Sequence, residues 1–213
     1  MSTEERALRV RIIETGRRIN AAGINQGKSG NLSVRREGGF LVTPSGLAYE
    51  RLNPADLVFV RRDGQPEGNH TPSSEWRLHR DVYEARPEVG AVVHTHSPFA
   101  TSLACLRRPI PAFHYEVAFA GGADIRCAGY ATFGTQELSD ATLAALEGRR
   151  ACLLANHGVV SLGTRIDDAF AMAEKVEALA RMYWQALQVG EPVVLDAAEM
   201  ARVLEKFTTY GRE

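Results

Sequence analysis

Strand-length apolar runs alternate with helix-length amphipathic segments along this 213-residue chain, with no linker and no internal repeat. That alternation implies a sheet with helices on its faces. A helix is predicted to follow the capping-box pattern Ser2-Thr3-Glu4-Glu5 and to close at Gly23, with Leu8, Ile12, Ile13 and Ile19 on or near one face. Strands over 32–35 and 40–43 flank Gly38-Gly39 as a hairpin, Asn53-Pro54 opens a short helical turn, and a strand over 57–60 turns at Asp63-Gly64. Further helices are predicted over 73–85, from Ser97-Pro98, and over 135–146, 166–187 and 196–207. Further strands are predicted over 91–96, 151–155 and 159–162. The hairpins imply that much of the sheet is antiparallel or mixed.

A chain of this length forms one large domain or two small ones. Its net charge of −1 gives no basic footprint for nucleic acid or an anionic membrane, so neither is expected as a partner. An anionic substrate would have to be held by local groups. No apolar stretch is long enough to span a bilayer, and residues 1–11 are charged and lack the apolar core of a leader. Cys105, Cys127 and Cys152 are widely spaced and read as reduced, mostly buried thiols of a cytoplasmic protein.

His94 and His96 close the apolar run Ala91, Val92 and Val93. Side chains two residues apart on a strand point to the same side, so both imidazoles can converge on one point. The same pair could instead be a polar strand end facing water. His157 sits in a turn between two apolar strands, where a ligand can be rigid yet accessible, or where a histidine can simply face solvent. Three imidazoles together suit Zn²⁺ with one position left open. Glu75 follows Ser73 and Ser74 at a predicted helix start, where acidic residues favour the dipole and free N–H groups can bind phosphate. The Gly27-Lys28-Ser29-Gly30-Asn31 loop and the Thr43-Pro44-Ser45-Gly46 turn could hold the same anion or be ordinary turns. Neither has Walker A spacing. His70 and His79 read as a loop residue and a helix-surface residue, and His114, which precedes Tyr115 in a predicted loop, carries no assigned role.

Taken in order, Gly30-Asn31-Leu32-Ser33, Thr43-Pro44-Ser45-Gly46, Ser73-Ser74-Glu75, His94-Thr95-His96 and Asn156-His157-Gly158 resemble the class II aldolase/adducin-head family. Within it they are most similar to the fuculose-phosphate aldolase branch. The resemblance runs from about residue 23 to 211 and includes Ile110 to Tyr115, Tyr130 to Thr135 and the tail from Leu204 to Gly211. It implies an α/β fold: a single-domain three-layer α/β/α sandwich spanning 1–213, around a mixed, largely antiparallel sheet. It also implies a metal-dependent aldehyde-lyase that cleaves a ketose 1-phosphate to dihydroxyacetone phosphate and a small aldehyde.

On this resemblance His94, His96, His157 and Glu75 hold Zn²⁺ or another divalent transition metal, and Glu75 doubles as acid/base. Gly30, Asn31, Ser45, Gly46, Ser73 and Ser74 bind the sugar phosphate, and Phe133 and Tyr210 line its far end. Tyr115 acts as a proton donor reaching in from a neighbour, in a homotetramer whose active sites lie between subunits. Other lyases of the family, such as 5-deoxypentulose-phosphate aldolases and methylthioribulose-phosphate dehydratases, share the motifs. Ribulose-phosphate 4-epimerases of this family carry Asp where this chain has Glu75. Adducin-type heads, which are interaction modules, lack the metal ligands. Lys28 and Ser29 depart from the small residues usual in that loop, and Glu116 puts a carboxylate beside Tyr115.

Overall fold

The computed structural model describes residues 1–209. Its helices are α1 (Thr3–Ala21), α2 (Trp76–Ala85), α3 (Pro98–Cys105), α4 (Gln136–Leu146), α5 (Ile166–Val189) and α6 (Ala197–Phe207). The strands are β1 (Asn31–Arg36), β2 (Gly39–Val42), β3 (Val58–Arg61), β4 (Pro66–Glu67), β5 (Ala91–Thr95), β6 (Ile110–Pro111), β7 (Asp124–Ile125), β8 (Cys127–Ala128), β9 (Ala151–Leu154) and β10 (Gly158–Gly163). Among the described residues the main sheet has eight strands in the order β4-β3-β2-β1-β5-β10-β9-β8, while β6 and β7 form a separate pair. The pairings are antiparallel except that of β8 with β9, so the sheet is mixed as expected.

Strand alternation sorts the core into two sides. Phe40, Val42, Val58, Val60, Val92, Cys152, Leu154 and Val160 pack against Leu78, Val82, Leu138 and Leu146 of α2 and α4. On the opposite face Leu32, Leu41, Ala91 and Val93 meet Ile12, Ile13 and Ile19 of α1 and Ile166, Phe170 and Ala173 of α5. Leu153 and Val159 continue that face against Leu103 of α3 and Val176 and Leu179 of α5. The result is the three-layer α/β/α sandwich. Every even-numbered side chain of β5 points toward α2, which puts His94 on that side with Val92.

Four local expectations need correction. The helix predicted over 73–85 begins at Trp76, because the Trp76 N–H donates to Ser73 O at 3.1 Å and the Glu75 N–H to Ser73 Oγ at 3.3 Å. That tight turn leaves Glu75 as the N-capping residue of α2, with φ −98° and ψ 15°. The segment after His114 forms a 3-10 helix, Tyr115–Ala120, with His114 Nδ1 accepting from the Glu116 N–H at 3.3 Å. Of the cysteines only Cys152 is buried; Cys127 is half-buried and Cys105 exposed, all free. His79 is fully buried, not on the helix surface, while His70 lies exposed and bonds Asp56 at 3.1 Å. Among the described residues no helix is long and apolar enough to cross a membrane.

Candidate active site

β5 and the β9–β10 turn bring His94, His96 and His157 together, with donor atoms all within 4.8 Å of one another. Nε2 of His94 lies 3.0 Å from Nε2 of His96, and the three rings meet edge-on with centroids 4.8 to 5.0 Å apart. His94 Nδ1 donates to the Val159 carbonyl at 2.9 Å, which leaves Nε2 as the nitrogen that faces the cluster. His157 is carried by a turn in which Asn156 takes φ 55°, a conformation asparagine tolerates. The Asn156 carboxamide ties that turn to the end of α3, accepting from Arg107 Nε at 3.1 Å and donating to Cys105 O at 3.4 Å. Gly158 must lack a side chain: a Cβ there would lie 2.8 Å from His96 Cδ2 and 3.2 Å from His94 Cε1.

Glu75 closes the cluster from α2. Its Oε2 lies 3.2 Å from His94 Nε2 and accepts from Asn31 Nδ2 at 2.9 Å. Its Oε1, 3.4 Å from His157 Nε2, is a buried acceptor that receives no hydrogen bond among the described residues. An unsatisfied carboxylate oxygen in a buried site is costly unless a cation completes it. Four ligand atoms around a tetrahedral zinc, each at about 2.0–2.1 Å, sit roughly 3.3 Å from one another. The three adjacent spacings, His94–His96, His94–Glu75 and Glu75–His157, are 3.0 to 3.4 Å, and the three histidine donors lie within 4.8 Å of one another, so the residues present fit a divalent metal.

The electrostatics favour the same occupant. Burial lowers His96 to about 4, reinforced by His94 and His157. Burial also lowers His157 to about 4, with His94 adding to it. Both rings are therefore neutral near neutral pH, the state in which an imidazole can bind a metal. Burial pushes the Glu75 carboxyl up, but the His94 charge and hydrogen bond, His157 and the Asn31 amide outweigh it and hold Glu75 well below the carboxylate range. Burial lowers His94, and the Glu75 charge and hydrogen bond with the Val159 carbonyl reverse this to a net rise. A metal entering between them would displace that shared proton.

A cavity of about 320 Å³ opens over the cluster. Gly30, Asn31, Ser45, Gly46, Ser73, Ser74, Glu75, His96, Phe133 and His157 all line it, joined by Lys28, Ser29, Tyr130 and Asn156. Two of its loops are stitched together: the Ser45 N–H donates to Thr71 O at 3.0 Å and the Ser73 N–H to Thr43 O at 3.1 Å. Gly30 turns the third with φ 72°, its Cα so close to β5 that a Cβ would lie 2.5 Å from His94 O. The Asn25 carboxamide braces this loop, accepting from the His96 N–H at 3.2 Å and donating to Ser29 O.

Tyr115 does not line this cavity; it is 48 % exposed beside Phe207. Glu116 is ion-paired to Lys175 at 3.1 Å. Tyr210 lies outside the described residues. Sequence reasoning missed His79, buried behind Asn31, and Asn25. The signal for His79 was its position four residues after Glu75, on the same helix stripe.

Comparison with known proteins agrees with this geometry. The family model for the class II aldolase and adducin N-terminal domain matches residues 10–184. A 5-methylthioribulose-1-phosphate/5-deoxyribulose-1-phosphate aldolase of Rhodospirillum rubrum is 57% identical over 205 residues, covering 96% of this chain and 93% of that protein. The L-fuculose phosphate aldolase of Escherichia coli K12 is 46% identical over 209 residues, covering 98% and 97%. A solved structure of an L-fuculose 1-phosphate aldolase superposes with a TM-score of 0.92 at 40% identity, covering 98% of each chain. The histidine cluster, the carboxylate beside it and the cavity above thus sit in a chain that belongs to the class II aldolase and adducin N-terminal domain family, on its metal-dependent aldehyde-lyase side.

Proposed function

We propose that this enzyme binds Zn²⁺ through His94, His96, His157 and Glu75 and cleaves a deoxy ketose 1-phosphate between C3 and C4, releasing dihydroxyacetone phosphate and a small aldehyde. The observation that carries the reading is the Glu75 carboxylate, bonded on one oxygen and unsatisfied on the other, set between His94 and His157 at the floor of a serine-lined cavity. When bound, the cation supplies Lewis acidity at the sugar's carbonyl end and stabilises the negative charge left on C3.

The chain's own groups do the rest. Ser45, Ser73, Ser74 and the backbone at Gly30 and Gly46 grip the phosphate through hydrogen bonds, with Asn31 beside them. Glu75, ionised at rest, carries to C3 a proton taken up from solvent once the bond to C4 has broken. Tyr115, exposed and away from its own cavity, serves a neighbouring subunit of a homotetramer, where it passes the C4 hydroxyl's proton on to solvent during cleavage and donates one to the aldehyde oxygen in the reverse direction. Tyr130 and Phe133, at the mouth of the cavity, suit a sugar whose far end is apolar. The relative at 57% identity supports a 5-deoxy or 5-methylthio pentulose, and the one at 46% supports L-fuculose 1-phosphate as the second choice.

The test is a panel of 5-methylthioribulose, 5-deoxyribulose and L-fuculose 1-phosphates, assayed for dihydroxyacetone phosphate with zinc and with chelator. Zinc-dependent cleavage, fastest with the pentuloses, is expected. Cleavage of none removes the aldolase reading for these sugars, and chelator-insensitive cleavage removes the metal.

A further inference from the structure

Behind Glu75 a line of buried polar groups runs along the inner face of α2. Glu75, His79 and Tyr83 are four residues apart on one stripe of the helix, and they lie over Asn31 and Ser33, two apart on β1. Four helical residues rise about 6 Å and two strand residues about 6.6 Å, so the stripe and the strand stay in step. Tyr83 OH lies 2.7 Å from Ser33 Oγ, Ser33 Oγ 2.6 Å from His79 Nδ1, His79 Nε2 2.5 Å from Asn31 Oδ1, and Asn31 Nδ2 2.9 Å from Glu75 Oε2. Asn31, Ser33, His79 and Tyr83 are each at most 5% exposed, and the Phe40 ring stacks on His79 at 6.5 Å with an interplanar angle of 13°.

The direction of every bond follows from its last member. An ionised carboxylate only accepts, so Asn31 must present its NH₂ to Glu75 and its carbonyl to His79. His79 must then carry a proton on Nε2. Burial holds His79 neutral, lowering it to about 3, so Nδ1 is bare and accepts from the Ser33 hydroxyl. The Ser33 oxygen in turn accepts from Tyr83. All four donors point toward the site.

We propose that His79 is a positioning residue: its Nε2–H locks the Asn31 carboxamide in the one orientation that donates to Glu75 Oε2 and leaves Oε1 turned to the histidine cluster. The proposal rests on Glu75 being the ligand and acid/base of the preceding reading. Without the donor at His79, the Asn31 carboxamide can rotate by half a turn and set its oxygen against the carboxylate, which repels it.

The experiment has two arms. Long-range ¹H–¹⁵N spectra of histidine-labelled, zinc-loaded protein, with His79→Gln used for assignment, give the tautomer directly. The expected signal is a neutral ring protonated at Nε2. Protonation at Nδ1 alone would overturn the proposal whether or not the enzyme has activity.

The kinetic arm compares His79→Phe and His79→Gln on whichever panel sugar is cleaved. Glutamine can donate to Asn31 and accept from Ser33; phenylalanine can do neither. Loss of kcat by roughly 10- to 100-fold in His79→Phe, with KM nearly unchanged and most of kcat recovered in His79→Gln, is expected. A filler role would lower thermal stability in both variants and leave kcat alone, which refutes positioning. If the wild type cleaves no ketose 1-phosphate, the functional reading fails while the tautomer still decides the orientation of Asn31. If His79→Phe does not fold, the tautomer and His79→Gln decide.

Discussion

Replacing Gly30 by alanine should damage the fold and the metal site together. Gly30 has φ 72°, which costs an L-residue roughly 1–2 kcal/mol. The new Cβ would also sit 2.5 Å from the His94 carbonyl oxygen and 3.0 Å from Asn25 Oδ1. Both neighbours are tied down: His94 lies in a central strand, and Asn25 Oδ1 already accepts from the His96 N–H. Relieving such an overlap in a packed region costs about 1–3 kcal/mol more. The sum, near 3 kcal/mol, lowers the Tm by roughly 6–12 °C in a chain of this size.

Gly27→Ala is the internal control. Gly27 has φ 62° in the same loop, and a Cβ there meets nothing within 4 Å. It should lose only the conformational part and keep its affinity for Zn²⁺. Gly30→Ala, which pushes on the strand carrying two ligands, should bind Zn²⁺ about ten-fold more weakly in competition with a chromophoric chelator. Equal Tm losses in the two variants, or an unchanged zinc affinity in Gly30→Ala, would refute the reasoning.

Other perturbations separate the roles of the site residues. Glu75→Gln should retain most of the bound metal, because three imidazoles remain, and lose most of its turnover; a normal kcat would remove Glu75 from the chemistry. His94→Ala, His96→Ala and His157→Ala should each elute from gel filtration depleted in metal, and stoichiometric metal by elemental analysis would contradict the ligand assignment. His79 is lowered by burial to about 3, against about 6.5 when unfolded, so the unfolded chain binds more protons between those values. Its contribution is therefore complete above about pH 6.5 and is lost as pH falls toward 3. Urea midpoints should show the gap between wild type and His79→Gln narrowing by about 2–3 kcal/mol from near pH 7 to about pH 4.5, and a constant gap would contradict a buried neutral ring.

The layers, the hairpins and the convergence of His94 with His96 were legible in the sequence because each leaves a periodic or positional trace, whereas the place of Glu75 beside them came from the family resemblance. Val92 and Val93 mark a strand buried on both faces, and the two-residue step to His94 and His96 then fixes where their rings point. What stayed hidden has no period long enough to read. Strands β4, β6, β7 and β8 are two residues each, too short to show a period, and β6, β7 and β8 pair with partners well separated along the chain, as in Ile110 with Ile125 and Cys127 with Leu153. The early helix start at 73 was misread because a serine hydroxyl and carbonyl compete for the N–H groups that would open the helix, a choice made locally by Ser73. His79 looked like a surface residue because a lone polar side chain on an amphipathic helix usually is one. Only the partners Asn31 and Ser33, 48 and 46 residues away, make its burial affordable.

The parity of β5 also bears on how the chain assembles. Asn31 faces His94 in register on one side and Val160 faces it on the other. A slip of one residue against either neighbour would turn Val93 and Thr95 toward α2 and bury both imidazoles among the aliphatic residues of α1 and α5. Such a misaligned sheet could still hold together through most of its backbone bonds, but it would have no means of capturing a cation. If the cluster takes up the proposed cation, metal uptake during refolding would report alignment of the central strands, and the ion would stabilise only chains paired correctly.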